Sequence, residues 1–167
     1  MSEHRKRISL DEPLSRDIAN AVYASMRDTF GIKVSIGETH YGEGAASLEG
    51  DISGIIGLVQ EELDGTLVLS MSTEAMRDIL PHALGKSFAV TQDTAIDAVA
   101  ELTNMVFCQI KNALNQRNFE IKLGTPCVVT GKGHFVCQFH RGKHMIVPFH
   151  VDGKLFQVYV ALQGSPK

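Results

Sequence analysis

The apolar positions along this chain fall into two periods. Between Thr91 and Phe119 they recur at three- and four-residue steps: Ala95, Val99, Leu102, Val106, Ile110 and Ala113. On an α-helix such positions stack into one stripe. The stretch TQDTAIDAVAELTNMVFCQIKNALNQRNF contains no Gly or Pro to interrupt it. Thr91 or Asp93 is placed to cap the first turn, because a side-chain oxygen there accepts from the free amides. The other side carries Asp97, Glu101, Asn104, Cys108, Lys111 and Asn115. A second helix is predicted from Leu14 to Phe30, where Ile18, Val22, Met26 and Phe30 recur every fourth residue. Pro13 suits its first turn and Gly31 the position just past its end. A third, shorter helix spans Glu74 to His82, begins at Ser72 or Thr73 and breaks near Pro81.

The rest of the pattern is extended. A short strand is expected at Ile32–Ile36, then a polar, Gly-rich loop from His40 to Gly50. Ile52–Gln60 and Thr66–Met71 flank Asp64-Gly65, and Met145–Val151 and Leu155–Leu162 flank Asp152-Gly153. Asp-Gly is a hairpin signal, because a type I′ turn needs positive φ at both central residues. Ser53, Gly54 and Gly57 keep the first run small in places, which lets another backbone approach closely. Shorter strands are expected at Glu120–Leu123, Cys127–Val129 and Phe135–His140, with a turn or edge at Gly124-Thr125-Pro126 and a flexible stretch at Gly131–Gly133. Each hairpin follows a helix with an apolar stripe, so the chain reads as two copies of helix–strand–strand–strand. Two helices laid on a mostly antiparallel sheet would bury both stripes, an α+β arrangement. Runs such as VYVAL suit strands covered by helices. Leu155–Leu162 holds no charge and no proline, so as a sheet edge it would recruit another chain.

Composition narrows the classes. The 167 residues suit one domain, expected over residues 13–167 after a basic tail over residues 1–12. A net charge of −3 lacks the basic excess of a nucleic-acid binder. No apolar run approaches the roughly 18 residues that span a bilayer, and no signal peptide is recognisable, so the expected compartment is the cytoplasm. The 3 cysteines are an odd count, unlike a disulfide framework.

The outward row of the long helix would ordinarily be solvated surface. Here Asp97-x3-Glu101-x2-Asn104, followed by Pro126, resembles the signature of the CheX/CheC/FliY chemotaxis phosphatases. The resemblance runs from about Leu14 to Leu162, through MRDTFGIKVSIG, GIIGLVQ, ELTN and GTPCVVTG. It implies a pseudo-duplicated CheC/CheX-like fold acting on the aspartyl phosphate of a CheY-type response regulator. It also implies pairing as a homodimer through the sheets. In that family Glu101 corresponds to the acidic residue that pairs with the regulator's active-site lysine. Asn104 corresponds to the amide that positions the attacking water. Asp97 matches a third, more variable position. Between Asn104 and Pro126 lie 21 residues, one fewer than in the family pattern. Asp17 and Asn20 on the first helix echo Glu-x-x-Asn with one side chain a methylene shorter, as a remnant of a second site. CheC-type members have two sites and CheX-type members one.

The residue types suit the chemistry. An aspartyl phosphate is already an activated acyl phosphate, so the task is to place water in line with phosphorus and to stabilise charge. A carboxamide accepts from water through oxygen and donates to a phosphoryl oxygen through nitrogen. No cofactor of its own is expected, since no acidic cluster here would hold magnesium, and the Mg²⁺ would be carried by the regulator. The competing readings are a non-catalytic regulator-binding or flagellar-switch module of the same fold, and a structural metal site. Cys127, His134, Cys137, His140, His144 and His150 share one region, but without a CxxC pair, and strand alternation keeps His134, Cys137 and His140 from converging. GEGAASLEG lacks the lysine and helix of a phosphate loop.

Overall fold

A computed structural model of the chain describes residues 8–60, 63–136 and 142–164. In chain order the elements are α1 (Glu12–Phe30), β1 (Ser35–Ile36), β2 (His40–Glu43), β3 (Ala46–Ser47), β4 (Ile52–Gln60), β5 (Leu63–Met71), α2 (Thr73–Leu84), α3 (Gln92–Asn115), β6 (Lys122–Leu123), β7 (Cys127–Thr130), β8 (Phe135–Val136), β9 (Lys143–Val151) and β10 (Lys154–Gly164). The helices bear out the periodicity. Asp11 caps α1 by accepting from the Leu14 amide, and Gly31 ends it at φ 66° with its amide on the Arg27 carbonyl. Thr91 caps α3 in a reciprocal pair with Thr94. The long helix stops at Asn115, short of Phe119, because its polar end turns back. Asn118 takes φ 67°, and Asn115 accepts from the Ile121 amide at 2.9 Å. Pro81 does not end α2 where expected. The helix runs on to Leu84, and the Gly85 amide closes it on the Pro81 carbonyl.

The strands form an eight-stranded, mostly antiparallel sheet along the path β1-β9-β10-β5-β4-β6, with β2 also on β9 and β7 also on β4. β3 pairs with β8 as a separate ladder. Four expectations are corrected. Asp64-Gly65 is not a turn: Val59 faces Asp64 and Leu58 faces Gly65 inside the β4–β5 ladder. The glycine is needed for space instead, since a Cβ there would lie 2.9 Å from the Ala161 carbonyl oxygen on β10. Gln60 pairs with Leu63 at the end of this ladder, and residues 61–62 lie outside the described residues. Asp152-Gly153 is a turn as expected, with φ of 47° and 75°. Second, His40–Gly50 is not a loop, since β2 and β3 lie within it. Third, Leu155–Leu162 is no edge, because β10 pairs with β9 on one side and β5 on the other. Fourth, the basic tail does not reach residue 12: Ile8 packs into the core and Asp11 caps α1. Of the strand expected at Phe135–His140, Cys137–His140 lie outside the described residues.

The internal repeat is real, and its halves are exchanged. β1 and β2 from the first half lie on β9, while β6 and β7 from the second lie on β4. Even the irregularities match. From Ile36 to His40 the edge takes four steps against three from Phe149 to Ile146. From Leu123 to Cys127 it takes four against three from Leu58 to Ile55. Each extra residue is a bulge. Gly37 donates to Pro148 across one, and Gly124 to Gly57 across the other, both at 2.8 Å. Pro126 sits in the second, where its missing N–H costs the ladder nothing.

All three helices lie over one face of the sheet. The main core joins Ile18, Val22 and Met26 of α1 and Val99, Val106 and Ile110 of α3 to Ile56, Leu69, Phe149 and Phe156 of the strands. A smaller cluster of Leu48, Val68, Tyr159 and Ala161 forms apart from it.

Candidate functional site

The position of the outward row is set from beneath. Leu102, Thr103 and Val106 are buried around Asn104, which is itself exposed. The Thr103 hydroxyl has no water to bond, so it donates to the Val99 carbonyl one turn back, at 2.6 Å. Facing it on β4 is Gly54. A Cβ at that position would lie 1.9 Å from Thr103 Oγ1. The helix therefore rests on the strand backbone, and no side chain larger than hydrogen fits between them. Sideways, α3 is tied to α1 by two polar contacts beside the row. Thr29 donates its hydroxyl to Met105 Sδ at 3.7 Å, and Gln109 Nε2 donates to Ser25 Oγ at 3.2 Å.

On that support Asp97, Glu101 and Asn104 stand exposed together on one helix. Glu101 and Asn104 are separated by about 4.5 Å along the axis, from the 1.5 Å rise per residue. Among the described residues neither Asp97 nor Glu101 has an ion-pair partner, so both carboxylates are presented to solvent. Asn104 has one side-chain neighbour bonded to it among the described residues: Cys108 donates its thiol to Oδ1 at 3.7 Å. The row thus offers a carboxylate and a carboxamide in fixed register. Such a pair can dock on a cation and hold a water.

Asp17 and Asn20 do not reproduce this row on α1. Asn20 is exposed, but Asp17 is buried and ion-paired with Arg117 in the turn after α3. Burial pushes the Asp17 carboxyl above its ordinary value of 3.8, against the pull of the Arg117 charge. Its Oδ2 is buried without a hydrogen-bond partner. Asp17 therefore ties the two halves of the chain together and is not presented to a partner.

The candidate metal residues are dispersed. His134 is held by Ser53 Oγ at 2.6 Å and the Gly131 carbonyl at 2.8 Å. His144 is buried and stacks on the Tyr159 ring, while His150 and Cys127 are exposed. Cys137 and His140 lie outside the described residues. Among the described residues no three His, Cys, Asp or Glu side chains gather where they could hold a metal ion. No helix there is long and apolar enough to cross a membrane. Sequence reasoning missed Thr103 and the bond from Cys108. Gly54 was legible as a place of close approach, but not what approaches it.

Known structures share this architecture. A CheC-like superfamily protein from Shewanella sp. PV-4 is similar at 24% identity, with a TM-score of 0.81, over 93% of this chain and 100% of its own. The chemotaxis protein CheX from Desulfovibrio desulfuricans is similar at 22% identity, with a TM-score of 0.79, over 90% and 99%. CheX from Borrelia burgdorferi, solved as a complex with CheY, BeF3 and Mg²⁺, is similar at 18% identity, with a TM-score of 0.73, over 93% and 99%. No curated protein matches the chain. Residues 52–150, from the first strand of the β4–β5 hairpin through α3 to β9, match the family described as chemotaxis phosphatase CheX. That match spans more than half of the 167 residues and includes the whole outward row, so the chain belongs to the CheX family of chemotaxis phosphatases.

Proposed function

We propose that this chain hydrolyses the aspartyl phosphate of a CheY-like response regulator, with Asn104 orienting the attacking water and Glu101 docking on the regulator's active-site lysine. The observation that carries the reading is the exposed Glu101–Asn104 pair on a helix immobilised over Gly54. In the step itself, water oxygen bonds to phosphorus as the bond from phosphorus to the acyl oxygen breaks. The carboxylate leaves, and the water's protons pass to phosphate and solvent. Asn104 Oδ1 accepts from the water and Nδ2 donates to a phosphoryl oxygen, so the amide contributes orientation and charge stabilisation. Glu101 fixes the complex through a charge-assisted bond. Asp97, one turn earlier, widens the acidic contact. In this reading the Mg²⁺ travels with the regulator and this chain brings no cofactor; the Borrelia burgdorferi CheX was solved together with CheY, BeF3 and Mg²⁺.

The working compartment in this reading is the cytoplasm, and the working form is a symmetric homodimer. Its contact cannot be β10, which is paired on both sides. The edge offered instead is β7, whose residues Cys127, Val128, Val129 and Thr130 carry no charge. The deciding experiment mixes the chain with a phosphorylated receiver domain and follows phosphate loss. Acceleration by wild type, reduced on the order of a hundredfold in Asn104→Ala, is the expected result. Tight binding of the phosphorylated receiver with no acceleration would replace the phosphatase by a binding module.

A further inference from the structure

We infer that Cys108 is a positioning residue for Asn104, whose thiol selects which way round the carboxamide faces. The inference rests on the phosphatase reading for its consequence in turnover, but not for the contact itself. A carboxamide has two faces of nearly equal size and opposite function. A half-turn about its last side-chain bond exchanges acceptor for donor. On an exposed helical face the backbone does not decide between them, because every nearby amide and carbonyl is used within the helix. A water-positioning Asn in the wrong orientation would present N–H groups to the water and oxygen to the phosphoryl group, which repels it.

Among the described residues one group breaks this symmetry. Cys108 lies one helical turn beyond Asn104, half-buried, with Sγ 3.7 Å from Oδ1. A thiol donates weakly to an oxygen and accepts still more weakly from an N–H, so it favours the orientation with Oδ1 toward the sulfur. The carbonyl oxygen has two lone pairs, so one bond from the thiol leaves the other for the water. Both N–H donors stay free for the phosphoryl group. The thiol is itself fixed, because Phe107 before it is fully buried and Gln109 after it bonds to Ser25 on α1. Cys108 acts on the reaction only through Asn104.

The test compares wild type, Cys108→Ser, Cys108→Ala and Cys108→Val in the full chain. Ala and Val both remove the donor, and they do so at different volumes, so a folding defect in one leaves the other to be read. With a phosphorylated receiver domain, Ala and Val should lower kcat about three- to tenfold, the worth of one weak hydrogen bond. KM should be unchanged, and Ser, which keeps a donor, should recover most of the rate. In an Asn104→Ala background the Cys108 substitutions should have no further effect. An equal loss in both backgrounds would show that the thiol acts independently of Asn104 and would overturn the inference. The readout that does not depend on activity is the Asn104 side-chain amide pair in ¹⁵N NMR of the free protein. Its shifts should change in Ala and Val and persist in Ser. An unchanged pair in Ala and Val overturns the positioning role, even if the chain proves inactive on every receiver tried.

Discussion

Glu101 and Asn104 share a helix face but have different predicted defects. Glu101→Ala should weaken binding of a phosphorylated receiver and leave the rate within the complex largely intact. Asn104→Ala should bind normally and turn over on the order of a hundredfold more slowly, the usual cost of a lost positioning donor. Stopped-flow phosphate release at saturating and subsaturating receiver separates the two; a purely KM effect in Asn104→Ala would remove its role in orienting water. Asp17 makes a prediction about pH. Its carboxyl is raised in the folded state by burial, so the folded protein holds that proton more tightly than the unfolded chain does. The stabilisation this brings is complete below the ordinary value of 3.8 and is lost as pH rises through the higher folded value. The stability of wild type relative to Asp17→Asn should therefore fall as pH rises from about 3.8, in urea titrations across that range. A difference independent of pH would mean that the Arg117 bond cancels the effect of burial, and a rise with pH would mean that it outweighs it. At this scale the sequence displayed the Glu101–Asn104 row openly, because helical spacing alone puts those residues together. It also showed Asp17 in the same spacing, and could not show its burial. That depends on Arg117, a hundred positions away in the chain.

Helices were more legible than strands, because the 3.6-residue period is written locally and caps such as Thr91 and Gly31 are read one residue at a time. The Asp64-Gly65 pair shows why strands were harder. Its composition says turn, and only the ladder on both sides, with Leu58 and with Leu162, gives the glycine its actual role. β2 was hidden in a polar stretch, because an edge strand of HYGE needs only one partner and no buried face. Gly54 carries the prediction for α3. Gly54→Ala would place a methyl 1.9 Å from Thr103 Oγ1, so the helix must rise or the strand must bow. The expected cost is about 1–3 kcal/mol of stability, from chemical denaturation, as for other overpacked sites. A Gly54→Ala, Thr103→Ala double substitution should recover only part of it, because the Thr103 Cβ that alanine keeps would itself lie 2.7 Å from the new methyl.

At the scale of the whole molecule the sequence disclosed a duplication, from two helices and two Asp-Gly signals, but not that the halves trade their edge strands. That exchange moves the uncharged LFQVYVAL run to the centre, so the dimer is predicted on the β7 side. Light scattering at micromolar concentration should give twice the 18.2 kDa chain mass for wild type and a single chain mass for Val129→Lys. A wild-type mass of 18.2 kDa would remove the dimer and leave the site untouched. The exchange also fixes the order in which the protein can come into being. When the first half leaves the ribosome, β5 has β4 on one side and nothing on the other, and the apolar stripe of α1 has no neighbouring α3. Both wait for elements translated later: β5 residues 63–71 pair with β10 residues 156–164, and α3 belongs to the second half. Until β10 is made the sheet lacks the strand that joins β5 to β9, so the apolar surface of the first half stays uncovered. A chain stopped before Lys154 should emerge unfolded and protease-sensitive, however complete its active-site helix.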